Sequence, residues 1–196
     1  MGEKRRHLLV WDIDDVLNDL MEIWFANFLP VRDVVIRYDE LTENPPDALL
    51  GITRELYLQS LDNCRAGGFY QRPPRREILE FFKKHGGRFR HIALSAVPIR
   101  FAPNSANWVL SHFGCWLQGC LFIPSPRSGD GVCSTLFNSK GDALVQFGEN
   151  AILIDDSEKN VSDALSRGGK AMLFPAPWNK RRGMSISDFL AELAVL

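Results

Sequence analysis

Cysteine is scarce in this sequence, and its spacing excludes the common metal and redox motifs. The chain contains four cysteines, and no two of them are separated by two residues as in a CxxC motif. A zinc site formed by Cys115, Cys120 and Cys133 stays open as a hypothesis, but no histidine lies at a matching spacing. Reduced thiols in a cytoplasmic protein are the simpler interpretation.

Net charge and long apolar runs are also lacking. The formal net charge is -1, so no overall attraction draws the chain to a nucleic-acid polymer or a membrane surface. No apolar run approaches the ~20 residues that a membrane span requires. The basic start is followed by a short apolar run that Asp12 interrupts, so we expect no signal peptide.

The length and composition limit the number of domains. With 196 residues and 45% hydrophobic content, we expect one domain, or one domain with a small insert.

Most of the chain alternates between strand and helix patterns. Apolar runs typical of buried strands occupy residues 8–11, 89–94, 121–123, 151–154 and 170–174. Helical spacing occupies residues 75–85, 104–113, 139–147, 157–167 and 185–193. This order predicts an α/β fold, a Rossmann-like parallel sheet flanked by helices.

The region after the first strand breaks this alternation. Residues 18–72 contain no convincing buried strand, and helical spacing covers residues 16–29 and 46–61. Two adjacent glycines, Gly67 and Gly68, form a flexible joint before the core pattern resumes. We therefore predict a small helical cap over residues 18–72, inserted into a core made of residues 1–17 and 73–196.

Polar side chains fall where the predicted strands end or helices begin. They are Asp12, Asp14, Ser95, Lys140, Asp155 and Asp156. The carboxyl ends of parallel strands meet at one edge of a sheet, so these residues are expected to share a crevice. There, one carboxylate can attack a phosphoryl group and a second can transfer protons. A hydroxyl and a lysine can hold phosphoryl oxygens, and the remaining carboxylates suit Mg²⁺.

The order of these residues resembles the haloacid dehalogenase superfamily of phosphatases over nearly the whole chain. Residues 12–16, DIDDV, resemble the first motif of that family, DxDx(T/V). Ser95, Lys140 and the pair Asp155-Asp156 are similar to the second, third and fourth motifs. A receiver domain carries the same residue types in a different order, because its lysine comes last. The resemblance therefore implies a phosphatase with a helical cap after the first strand.

The resemblance also implies a role for each residue. Asp12 is the expected nucleophile and Asp14 the expected acid and base. Mg²⁺ would be held by Asp12, the backbone carbonyl of Asp14, and Asp156, with Asp155 behind them orienting a metal-bound water. The phosphoryl group would be held by Ser95, Ala96 and Lys140.

A finer resemblance points to the 5′(3′)-deoxyribonucleotidase branch of the family. It rests on residues 68–70, Pro73-Pro74, residues 153–157 and Asn160, whereas the second motif departs from that branch by reading Ser-Ala-Val-Pro. It implies a nucleoside monophosphate as the small phosphorylated substrate, with Phe69, Trp24 and Arg100 in the substrate pocket. Two alternatives are a phosphatase of a sugar or other metabolite phosphate and a catalytically silent binding protein.

Overall fold

Five parallel strands form a sheet in the order β3-β2-β1-β4-β5. The computed structural model describes residues 6–30, 35–125, 127 and 136–196. The strands are β1 (Leu8–Trp11), β2 (Arg90–Ser95), β3 (Leu117–Phe122), β4 (Ala151–Asp155) and β5 (Lys170–Leu173). The chain runs outward from β1 through β2 to β3, and then returns to the other side of β1. This reversal of strand order creates a crevice at the carboxyl ends of β1, β2 and β4.

Helices cover both faces of this sheet. They are α3 (Arg76–His85), α4 (Ala102–Phe113), α5 (Lys140–Gln146), α6 (Glu158–Ser166) and α7 (Ile186–Ala194). Alternate side chains of β1 point to opposite faces, so Leu9 and Trp11 pack with α3, α4 and α7, and Val10 packs with α5 and α6. The predicted class, a parallel sheet flanked by helices, is confirmed. No helix in the described part of the chain is long and apolar enough to cross a membrane.

Between β1 and α3 the chain forms two further helices, α1 (Leu20–Asn27) and α2 (Arg54–Ala66). Their apolar faces pack on each other in a separate hydrophobic cluster that contains Leu20, Trp24, Tyr57 and Leu61. We refer to residues 18–72 as the helical insert. The insert begins directly after residues 13–17, which follow β1. It therefore lies over the carboxyl end of that strand.

The largest differences from the predicted boundaries are in the insert and in β3. The helix predicted from residue 16 begins at Leu20, because residues 13–17 form a tight turn in which Asp15 has a φ of 65°. The helix predicted over 46–61 begins at Arg54, where the Thr53 hydroxyl caps it by accepting from the Leu56 amide at 3.2 Å. Strand β3 is longer than its predicted three residues because the preceding, more polar residues also pair with β2.

One buried histidine lies in the core between the sheet and α3. The indole N–H of Trp11 donates to His91 Nδ1 at 3.1 Å, and His91 Nε2 lies 2.9 Å from the carbonyl of Gly86. Both contacts are satisfied by the neutral ring, which accepts at Nδ1 and donates at Nε2. Burial lowers the pKa of His91, and the hydrogen bond to Gly86 opposes this effect only in part.

This histidine gives stability a defined dependence on pH. Its folded-state pKa is lowered, so its contribution is fully present above the unfolded value of about 6.5 and is lost as the pH falls below it. We expect the unfolding free energy, measured by urea titration at pH 7.5 and 5.5, to fall more in the wild type than in His91→Gln. The limiting slope for one proton is about 1.4 kcal/mol per pH unit. Equal pH dependence in the two proteins would contradict this role of His91.

Candidate active site

The carboxyl ends of the three central strands place three polar positions side by side. Asp12 follows β1, and its amide donates to the carbonyl of Ile154 on β4 at 2.9 Å. Ser95 is the last residue of β2, and Asp155 is the last residue of β4. Because β1 lies between β2 and β4, these side chains converge, as the sequence analysis predicted from strand ends.

A buried lysine connects two of the carboxylates. Lys140 is the first residue of α5, whose N-terminus is capped by the Ser139 hydroxyl. Its Nζ lies 2.6 Å from Asp12 Oδ1 and 2.7 Å from Asp155 Oδ2. Burial alone would lower the pKa of Lys140, but the charges of Asp12 and Asp155 outweigh it and raise that pKa. The lysine is therefore held in its charged form between the two acids.

Asp12, Asp155 and Asp156 form a buried carboxylate cluster, in which one oxygen of each lies within 4.8 Å of the others. The pKa of Asp12 is raised by burial, against the charge of Lys140, and then by Asp155 and Asp156. The pKa of Asp156 is likewise raised by burial and then by Asp155. Such crowded acids are destabilised unless a further cation joins them. Oxygen ligands alone are what Mg²⁺ prefers, so the residues present fit that ion.

The three acids do not offer their oxygens equally. Both oxygens of Asp155 already accept hydrogen bonds, from Lys140 on one side and from the Ser157 amide and Asn160 side chain on the other. Among the described residues, Asp156 Oδ2 accepts one hydrogen bond, from the indole of Trp178 at 2.8 Å. Asp12 and Asp156 are thus better placed to contact a cation directly, and Asp155 is better placed to orient its neighbours.

Asp14 lies in the tight turn after β1 and is bound on both sides. The Asn18 side-chain amide donates to Asp14 Oδ1 at 3.1 Å, and Arg65 Nη2 donates to Asp14 Oδ2 at 2.9 Å. Arg65 belongs to α2, so this ion pair links the insert to the core. The following residue, Asp15, accepts from the Met21 amide at 2.8 Å and thereby supports the start of α1. Burial raises the pKa of Asp15 to about 8.

These side chains line one cavity of about 220 Å³ between the core and the insert. The cavity brings together seven of the residues around the predicted site, namely Asp12, Asp14, Asp15, Ser95, Ala96, Lys140 and Asp156. Asp155 is fully enclosed behind this lining. A larger groove of about 520 Å³ lies between α3 and α7, and none of these residues lines it. The small cavity is therefore the candidate active site.

The three side chains predicted for the substrate pocket lie elsewhere. Trp24 is fully buried inside the insert, where its indole N–H donates to Ser60 Oγ at 2.9 Å. Phe69 belongs to the same hydrophobic cluster, and neither ring lines the cavity. Arg100 is exposed and pairs with Asp62 at 2.6 Å. The helical spacing of these aromatic residues reflects the packing of the insert rather than a surface for stacking.

Two arginines that the sequence analysis did not single out do line the cavity, Arg65 and Arg127. Nothing in a one-dimensional pattern distinguishes Arg65 from other charged residues of α2, because its direction depends on how the insert packs on the core. Among the described residues, the carboxylate cluster is the one grouping of metal-ligating side chains. The zinc hypothesis includes Cys133, which lies outside the described residues.

Comparison with known proteins identifies the fold. No protein-family model matches the chain, and no curated protein matches its sequence. A predicted phosphatase from Clostridium acetobutylicum superposes with a TM-score of 0.56 at 14% identity, covering 98% of this chain and 100% of that one. A HAD-superfamily hydrolase of subfamily IA from Geobacter sulfurreducens gives 0.52 at 13% identity, covering 98% and 100%.

A third solved structure, described as a HAD hydrolase from Bacillus subtilis bound to magnesium, superposes with a TM-score of 0.52 at 10% identity and covers 87% of each chain. The chain therefore has the haloacid dehalogenase-like fold. At identities this low the similarity shows the fold alone, and the chemistry depends on the residues of the site.

The crowded carboxylates predict opposite effects of one substitution on stability and on metal binding. Asp156→Asn removes one of three close negative charges and keeps an oxygen that can accept from Trp178. Without metal, we expect the melting temperature to rise by about 2–4 °C, which corresponds to roughly 1 kcal/mol in a protein of this size. Added Mg²⁺ should raise the melting temperature of the wild type and leave Asp156→Asn unchanged.

The matched control is Glu149→Gln, since Glu149 is an exposed carboxylate two residues before β4, at the opposite edge of the sheet. It should keep the wild-type response to Mg²⁺ in the same thermal unfolding measurement. An undiminished Mg²⁺ response in Asp156→Asn would show that Asp156 does not hold the ion.

Proposed function

We propose that this protein is a Mg²⁺-dependent hydrolase of phosphomonoesters that works through an aspartyl-phosphate intermediate. The observation that carries the proposal is the convergence of Asp12, Asp14 and Lys140 with a carboxylate cluster in one cavity. This combination supplies a nucleophile, a proton donor and a site for cations beside one another. The similarity in fold to a predicted phosphatase and to HAD hydrolases supports the same reaction class.

In the first half-reaction, the Asp12 carboxylate attacks the phosphorus atom and the P–O bond to the leaving alcohol breaks. Asp14, when protonated, gives its proton to the leaving oxygen. The products are the free alcohol and a phosphate group carried on Asp12. In the second half-reaction Asp14 takes a proton from water, and the resulting hydroxide attacks phosphorus. The bond to Asp12 breaks, which restores its carboxylate and releases inorganic phosphate.

The remaining side chains bind and orient the phosphoryl group. Lys140 carries the positive charge nearest to Asp12, at 2.6 Å, and can offset negative charge on phosphoryl oxygens as Asp12 attacks. Ser95 and Ala96 line the same wall of the cavity and offer a hydroxyl and a backbone amide to those oxygens. Mg²⁺ would be held by Asp12, Asp156 and the backbone carbonyl of Asp14, with Asp155 behind them. When bound, the ion neutralises charge on the phosphoryl oxygens.

The dimensions of the cavity favour a small substrate. Its volume of about 220 Å³ lies below the range of roughly 300–1,000 Å³ that is typical of sites for drug-sized ligands. Tyr57 is the one aromatic side chain among its described lining residues, and it is almost fully buried. We therefore place a small metabolite phosphate first. The nucleoside monophosphate expected from the sequence is the alternative, and a panel of both substrate classes separates them.

Replacing the proposed nucleophile should abolish turnover. We expect Asp12→Asn to lower Mg²⁺-dependent hydrolysis of p-nitrophenyl phosphate by at least about 10³-fold, because an amide cannot form the covalent intermediate. Glu149→Gln should hydrolyse this ester at the wild-type rate. The measurement is the steady-state release of p-nitrophenol together with phosphate covalently trapped on the protein after acid quenching.

Wild-type turnover in Asp12→Asn would refute the assignment of the nucleophile. A wild-type protein that binds phosphate esters tightly but hydrolyses none, with any divalent metal, would instead establish the catalytically silent binding protein.

A further inference from the structure

One aromatic side chain outside the four sequence motifs contacts the carboxylate cluster. Trp178 lies in the loop between β5 and α7, and its indole N–H donates to Asp156 Oδ2 at 2.8 Å. We propose, resting on the Mg²⁺ site of the proposed function, that Trp178 is a positioning residue, which holds the Asp156 carboxylate in the orientation that binds the ion. Trp178 does not line the active-site cavity, so it acts on the affinity for Mg²⁺ and not on the substrate.

Asp156 needs such an anchor because open space lies on two sides of it. It lines the active-site cavity and also a second cavity of about 290 Å³, which is lined by residues 42–44 and 156–159 together with Trp178 and Asn179. Packing alone therefore leaves its side chain more than one direction. Because Trp178 lines only the second of these cavities, the hydrogen bond fixes Oδ2 on the side away from the substrate. The other oxygen of Asp156 then remains for a cation.

The loop that carries Trp178 is itself fixed to the backbone of Asp156. The side-chain amide of the next residue, Asn179, donates to the carbonyls of Asp156 and Phe174, at 2.8 Å each. The side-chain oxygen of Asn179 accepts from the Arg181 amide at 2.9 Å. Asn179 is buried, and both of its side-chain donors are used in these bonds. It therefore sets the distance between the indole of Trp178 and the residue that the indole holds.

The insert contacts the ring of Trp178. Tyr38 packs edge-on against the indole, with 6.2 Å between the ring centroids and an angle of 83° between the rings. Two prolines of the same loop, Pro175 and Pro177, restrict its backbone because their φ angles are fixed. A side chain held by packing on a restricted backbone keeps its N–H in one direction. This is the property that a residue orienting a metal ligand requires.

The acceptor distinguishes Trp178 from the other tryptophans. The chain has five tryptophans, and four of their indoles donate a hydrogen bond among the described residues. Three of them donate to uncharged acceptors in the interior, namely Trp11 to His91, Trp24 to Ser60 and Trp108 to the carbonyl of Arg72. In the described structure only Trp178 donates to a carboxylate. Any acceptor satisfies a buried indole, whereas an N–H bonded to a carboxylate also favours the ionised form, which is the form that binds a cation.

Calorimetric titration with Mg²⁺ alone tests this inference. Trp178→Phe removes the indole N–H and keeps an aromatic ring beside Tyr38. We expect its Kd for Mg²⁺ to rise by about tenfold or more, the usual effect of removing a hydrogen-bond partner of a metal ligand. The matched control is Trp116→Phe, because Trp116 is also half-buried but lies directly before β3, at the opposite edge of the sheet. It should keep the wild-type Kd.

Two further measurements separate positioning from damage to the fold. At saturating Mg²⁺, kcat of Trp178→Phe for p-nitrophenyl phosphate should return to within about threefold of the wild-type value, since Asp12 and Asp14 are unchanged. In the wild-type protein, the indole ¹H–¹⁵N resonance of Trp178 should move when Mg²⁺ is added, and that of Trp116 should not. The resonance measurement decides the question even if the variant fails to fold.

Each outcome has a distinct meaning. An unchanged Kd in Trp178→Phe, an equal loss of affinity in Trp116→Phe, or a Trp178 resonance that ignores Mg²⁺ would overturn the role of Trp178. A kcat that stays low at saturating Mg²⁺ would also overturn it, because the defect would then not lie in metal affinity. A wild type that binds Mg²⁺ with this dependence on Trp178 and hydrolyses no ester would overturn the proposed function and leave this inference intact. A wild type that binds no Mg²⁺ would overturn both.

Discussion

The contact of Lys140 with Asp12 and Asp155 is the interaction on which the site depends. Three buried carboxylates at the edge of one sheet repel one another, and a charged lysine 2.6 Å from one and 2.7 Å from another offsets only part of that repulsion. Removing one partner of such a buried pair is far more destabilising than replacing an exposed pair, because an uncompensated charge is left in the interior. The residual negative charge is the physical reason to expect a cation at this edge.

The sheet topology explains why the charges meet here. In a parallel sheet every strand presents its carboxyl end to the same edge, and the reversal of strand order around β1 leaves that edge open. Asp12 and Asp155 end neighbouring strands, so distant parts of the chain are brought together without any loop of special length. The insert then covers this edge through the ion pair between Arg65 and Asp14.

This topology is also why much of the molecule could be predicted from sequence. Strand β1 ends where the apolar run meets Asp12, and α6 begins after the capping residue Ser157, since both are local properties of the chain. The convergence of the polar strand ends needed only one further assumption, a parallel sheet. The left-handed Asp15 was not foreseen, because two hydrogen bonds that no sequence pattern shows hold it: its amide donates to the Asn18 side chain, and its carboxylate accepts from the Met21 amide.

The side chains that the insert adds to the cavity are the part that local patterns could not predict. Trp24 is an aromatic residue near the first motif, and the sequence predicted it in the substrate pocket. It belongs instead to the hydrophobic core of the insert, where it packs edge-on against Tyr57 at 5.1 Å between ring centroids. Arg65, eight residues after Tyr57, is an ordinary charged residue in sequence and becomes distinctive only when the insert turns it toward Asp14. The polar residues of the candidate site therefore lie at strand ends, which can be predicted from sequence. The residues that the insert adds to the cavity depend on the packing of helices, which cannot.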